Sequence, residues 1–393
     1  MLGNCLIRTP MKGDNSLDLG ALCEALLFFS KTHVILDQGT LALFANAGFL
    51  DDFIEMLKRG HVTASYAPET PALFTKTEGG LREHLFTIIR TVGSEQGGPL
   101  KRSPDALLYQ LEKHFADKGK ARAHHRQLCK FVSFKSLDNG KAVAKAADDI
   151  ADPRFASEIA RMSLLQLGVP ANEIMFSRLT VFPLGDGRFA LDTDIDFASL
   201  TKKYPNVTGP NDLFPGVGDA RLDIFMAAEH NAAFIGNSAN QRIVEMVLSK
   251  AIGAQANSRD VPRDIYDFIS LDTPSVREAI NSGERTAREF IDLLGSADSF
   301  KKWLNAQNPD KDLIQEMLRE KTSVGWLEKL PAKAARFGIF SGAGYFADIV
   351  APGSSTILGA VDGFLIDRLA KKWRPHFFVE NKLRGFLDNN RLN

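Results

Sequence analysis

The stretch HVILDQGTLALFANAGFLDDFIEMLKRGHVTASYA (33–67) decides how the front of the chain is read. His33 to Asp37 is a short β-branched apolar run, which marks a buried strand. Two helical pieces follow, about 40–47 and 49–59. On the second, Phe49, Phe53, Ile54 and Leu57 fall on one face, and Gly60 ends it. His61 to Ala67 returns to a strand pattern. Strand, helical crossover and strand predict a βαβ-like unit with a parallel pair, because parallel neighbours need a long connection.

Working outward, residues 16–30 read as a helix with Ser16 as its N-cap. GSEQGGPLKRSP (93–104) mixes glycine, proline and charge and predicts a linker. Beyond it the pattern turns mostly helical. Asp152-Pro153 opens a helix that runs to Leu167 before Gly168. Residues 177–184 and 188–196 alternate around Gly185-Asp186-Gly187 and predict a β-hairpin. A proline- and glycine-rich loop spans 205–218. From about 219 to 330 the chain reads as helices, at 219–235, 238–252, 274–282, 286–306 and 310–320. The expected class is α+β, mainly α. A small α/β region (1–95) precedes a mainly helical body (105–330) with one β-hairpin at 177–196. Residues 331–393 supply a glycine-rich helical hairpin and a basic, aromatic tail.

That last region holds FGIFSGAGYFADIVAPGSSTILGAVDGFLI (337–366), with six glycines and only two charges, Asp348 and Asp362. Pro352-Gly353 breaks it into two arms. Gly338 and Gly342 on one arm, and Gly359 and Gly363 on the other, recur every four residues. Such a stripe lets helix backbones approach closely. Trp373 and neighbouring cations suit headgroup depth. The charge-free runs, 337–347 and 349–361, fall short of the ~20 residues a spanning helix needs. Three readings stay open: a hairpin buried in a core, a hairpin engaging a membrane surface, and a dinucleotide fingerprint. The last rests on Gly342-Ala-Gly344-Tyr-Phe-Ala347 and Asp362. Against it stand the short helix before Pro352 and the 31 residues after Asp362.

Bulk composition narrows the function classes. The 393 residues carry no formal net charge, so no partner is steered by the molecule as a whole. Three cysteines argue against a disulfide framework and fit a reducing cytosol. MLGNCLIRTPMKGDNS lacks the apolar core of a secretory signal, so a cytoplasmic, at most peripherally membrane-bound, protein is expected. Charge concentrates in 101–145, where eleven Lys/Arg against four Asp/Glu give +7. Lys118, Arg122, Arg126 and Lys130 are four residues apart. On a helix they form a ridge that suits phosphates, or simply a solvated face.

Candidate chemistry is sparse. Asp192, Asp194 and Asp196 alternate along the second hairpin strand and would share one face. Three carboxylates there could hold Mg²⁺ for phosphodiester hydrolysis. The plainer reading is a polar outer face, with Asp194 or Asp196 capping the helix that starts FASL. His125 and Cys129 form an i, i+4 pair, but no C-x-x-C or H-x₃-H completes a four-ligand zinc site. Glu229-His230 offers a general acid or base. No G-x-S-x-G, H-E-x-x-H or Walker A loop is present. No metal and no cofactor is therefore expected. The leading expectation is a non-enzymatic interaction or assembly protein, with a protein partner or a second copy, whose C-terminal hairpin packs tightly or meets a membrane surface. A defence or toxin role would suit such a segment. The alternatives are a metal-dependent hydrolase or nuclease using the aspartate cluster, and a nucleic-acid-binding module using 113–135.

Overall fold

The computed structural model describes residues 4–11, 16–78, 81–90, 103–134, 140–237, 242–244, 246–247, 274–306 and 386. Its strands are β1 (Asn4–Met11), β2 (Lys31–Leu36), β3 (Thr63–Tyr66), β4 (Glu69–Glu78), β5 (Leu81–Arg90), β6 (Val132–Phe134), β7 (Leu179–Gly185), β8 (Arg188–Thr193) and β9 (Ala232–Asn237). Between β1 and β6 lie α1 (Leu19–Phe28), α2 (Gln38–Asn46), α3 (Leu50–Lys58), α4 (Ser103–His114) and α5 (Lys118–Phe131). Then come α6 (Gly140–Ala144), α7 (Ala146–Asp149), α8 (Pro153–Gln166), α9 (Phe197–Lys203) and α10 (Pro215–Glu229). After β9 follow α11 (Pro274–Asn281) and α12 (Ala287–Ala306).

Five strands form one sheet in the order β6-β3-β2-β1-β9, every pair parallel. Period-two alternation sends Cys5, Ile7, Val34 and Leu36 to one face, and Leu6 and Ile35 to the other. The first face meets apolar side chains of α1, α2, α3, α4, α5, α11 and α12. The second meets α8, α10 and a second sheet. A parallel sheet buried on both faces reads as near-continuous apolar runs, as HVIL does. From β1 the chain winds outward on the first face through β2, β3 and β6. It then returns to pair β9 with the opposite edge of β1. The sheet is thus doubly wound, and its winding reverses between β1 and β9.

The second sheet is antiparallel, in the order β4-β5-β8-β7. Its inner face sets Phe86 and Phe189 against Phe214, at the end of the loop that leads into α10. Gly185, Asp186 and Gly187 all take positive φ in the β7–β8 turn, as a tight hairpin requires. A side chain at Gly187 would run into the Phe86 carbonyl, 2.7 Å from where its Cβ would sit.

The βαβ unit over 33–67, the 177–196 hairpin and the Asp152-capped α8 all stand where the sequence places them. The class does not. The molecule is mixed α/β with two sheets, rather than mainly α with one hairpin. Three stretches account for the difference. β1, with Arg8 and Pro10 in it, is an interior strand between β2 and β9. β4 and β5 form a ten-residue antiparallel ladder. AAFIGN, whose first four residues periodicity assigns to the helix at 219–235, is β9. α10 stops at Glu229, and Asn231 at φ 43° turns the chain back into the sheet. The cap of α1 is Asp18, whose carboxylate accepts from Ala21 N at 3.1 Å, not Ser16. The strands of the parallel sheet come from both sides of residues 95–105. Gly338, Gly342, Gly359, Gly363 and Trp373 lie outside the described residues. Among those described, no helix is long and apolar enough to cross a membrane.

Candidate functional site

Doubly wound sheets take their ligands beyond the carboxyl ends of the strands, where the winding reverses. Here that place lies beyond β1 and β9, and it is charged. Arg8, near the end of β1, is 6% exposed and points to the face covered by α10. Its Nε donates to Asp223 Oδ1 at 2.6 Å, Nη1 to Asp37 Oδ2 at 3.0 Å and Nη2 to Asp219 Oδ1 at 2.9 Å. Asp37 follows β2 directly and also caps α2, accepting from Thr40 N at 2.7 Å and Thr40 Oγ1 at 2.8 Å. Asp219 and Asp223 are one turn apart on α10, so helix geometry sets both toward Arg8. One guanidinium therefore fastens two strand ends to two helices.

The backbone beside Arg8 is unusual. Thr9 adopts φ 48°, a left-handed conformation that is a true outlier for a β-branched residue. Its N–H donates to Thr40 Oγ1 at 2.9 Å, and the register between β1 and β9 slips between Ile7 and Met11. Gly39 lets this turn approach α2, since its Cβ would lie 3.1 Å from Thr9 Oγ1.

Electrostatics follow from burial. Desolvation pushes the Asp223 carboxyl up to about 7, against the pull of Arg8 and with added repulsion from Asp219 and Asp37. Burial also works against the Arg8 charge, but the three carboxylates outweigh it and hold the guanidinium firmly protonated. Asp219 is the open member, its side chain 32% exposed. The cluster can hold a proton on Asp223 near neutral pH and present carboxylate oxygen to a donor group. Among the described residues no three His, Cys, Asp or Glu are grouped to hold a metal ion.

The residues singled out from sequence sit elsewhere. Strand β8 ends at Thr193, so only Asp192 belongs to the ladder, and it pairs with Arg178 at 3.3 Å. Asp194 lies beyond the strand and accepts from Ser177 Oγ at 2.7 Å and Arg178 N at 3.0 Å. These bonds bring its carboxyl down to about 2. Asp196 caps α9, accepting from Ser199 N at 3.0 Å and Ser199 Oγ at 2.6 Å. Lys118, Arg122, Arg126 and Lys130 are all exposed along α5. His125 Nε2 lies 2.9 Å from the Pro104 carbonyl and 3.3 Å from Cys129 Sγ. It must donate to the carbonyl, so it cannot also take the thiol proton, and burial raises the Cys129 pKa. His230 stacks on His33, ring centroids 5.2 Å apart, and its carbonyl accepts from Asn4 at the amino end of β1.

Sequence reasoning passed over Arg8, Asp37, Asp219 and Asp223. The available signals were an arginine inside an apolar run, an acid directly after HVIL, and an i, i+4 acid pair. Compared with family models, with curated proteins and with solved structures, the chain matches none.

Proposed function

We propose that the chain binds a small ligand in the crevice beyond β1 and β9, with the Arg8 cluster as its charged wall. One observation supports this above others: a single guanidinium faces three carboxylates where the sheet reverses its winding. The excess negative charge suits a ligand that brings an amine or other hydrogen-bond donor. Asp219, about a third open to solvent, would meet that group, while Asp37 and Asp223 hold Arg8 in place. A thermal-denaturation series with putrescine, spermidine and lysine tests it. A bound amine at a hundredfold its Kd adds roughly 2.7 kcal/mol of stability. The gain should vanish in Asp219→Asn. An unmoved wild type, or an equal gain in the variant, ends the reading.

A second reading, action through assembly, is favoured by the outer face of the antiparallel sheet. Phe74 and Phe182 are 48% and 50% exposed there, close to half-buried Leu85 and Ala190. The Arg188–Glu83 ion pair lies between them on the same face, and exposed rings rimmed by charge suit a contact site. The glycine-rich 337–366 segment would be a further packing or membrane-engaging element. Sedimentation should show self-association that Phe74→Ser/Phe182→Ser abolishes, and flotation on anionic vesicles should weaken in Gly342→Leu/Gly359→Leu. A wild type that stays monomeric and does not float removes this reading.

A further inference from the structure

The row of cations on α5 is the strongest unassigned surface of the molecule. Its inner side is fixed by Ala121, Leu128 and buried His124, whose Nε2 lies 2.7 Å from Asp51 Oδ1. That anchoring sets Lys118, Arg122, Arg126 and Lys130 outward in one line. Helix rise spaces them about 6 Å apart over about 18 Å. The near half is partly answered: Glu112 lies 4.0 Å from Lys118 and 3.5 Å from Arg122. Arg126 and Lys130 have no carboxylate within ion-pair reach among the described residues. Directly after Lys130, Phe131 is 41% exposed, an aromatic ring at the end of a charged row.

We propose that this ridge binds a single-stranded nucleic acid, its phosphates along Arg122, Arg126 and Lys130 and an unpaired base on Phe131. A narrow row suits a linear polyanion. A membrane plane would also press on the acids at the border of the row, Asp51 beside Lys120 and Asp117 at the start of the helix. Phosphate contacts supply sequence-independent affinity, and aromatic stacking accepts any base.

Fluorescence anisotropy with a labelled oligothymidylate, using the full chain, tests the proposal. Three phosphate contacts predict a loss of roughly 20-fold in affinity between 50 and 200 mM salt. Arg126→Ala/Lys130→Ala should bind more weakly and flatten that salt dependence by about two thirds. Phe131→Ala should weaken binding without changing the salt slope, which separates stacking from charge. These side chains are exposed, so unchanged circular dichroism would confirm that the variants fold. Unaltered binding in the double variant, or no binding by the wild type, overturns the proposal. So does tighter association with phosphatidylserine vesicles than with the oligonucleotide.

Discussion

Asp192, Asp194 and Asp196 stand two residues apart, and each answers to its own surroundings. Asp37, Asp219 and Asp223 come from distant parts of the chain and meet on one guanidinium. The first set is exposed and settles a strand end, a turn and a helix cap. The second sits where burial makes every uncompensated charge costly. Closeness in sequence shows only which residues could share a strand face. Convergence depends on how the sheet is wound, since α10 reaches Arg8 only because β9 pairs beside β1.

Removing the cation should give the largest effect. Arg8→Met leaves Asp37, Asp219 and Asp223 without their shared donor, two of them buried. Breaking a buried charge network in this way costs about 3–5 kcal/mol, read from urea unfolding at neutral pH. A loss below about 1 kcal/mol would mean that the cluster is open to water and is no clasp.

The next effect is a slope. With its carboxyl near 7, against 3.8 when free, Asp223 in the folded state keeps a proton that the unfolded chain has released. Folded-state stability from this group therefore falls as pH rises between those values and levels off above them. Against Asp223→Asn, the wild type should lose up to about 1.4 kcal/mol per pH unit between pH 5 and 7. Parallel stability curves for the two proteins would refute the assignment.

Smallest is the change at the hairpin. Asp192→Ala removes an exposed ion pair worth about 0–1 kcal/mol. Asp194→Ala should lower the melting temperature further, because it frees Ser177 and Arg178, but far less than Arg8→Met does. A hairpin variant as damaging as Arg8→Met would reverse the contrast between the two sets.

Local chemistry explains what was legible. Asp152-Pro153, Gly60 and Gly185-Asp186-Gly187 act within a few residues, so their readings survive in α8, in the end of α3 and in the β7–β8 turn. β1 and β9 needed long-range information. AAFIGN is too short to choose between helix and strand by periodicity, and a free edge of β1 decides it. Asp219 and Asp223 went unnoticed for the same reason. Nothing local told them that an arginine more than two hundred residues earlier would face them.

Thr9 carries a consequence of its own. Left-handed backbone at a branched residue costs about 1–3 kcal/mol. Glycine would adopt that twist freely, so Thr9→Gly offers a route to a tougher molecule. The threonine hydroxyl, however, lies 3.3 Å from Asp37 Oδ2, and a bare backbone would surrender that tether. A hardier variant with a slacker arginine would reveal the twist as a wound spring, keeping the mouth of the sheet in shape at the expense of endurance.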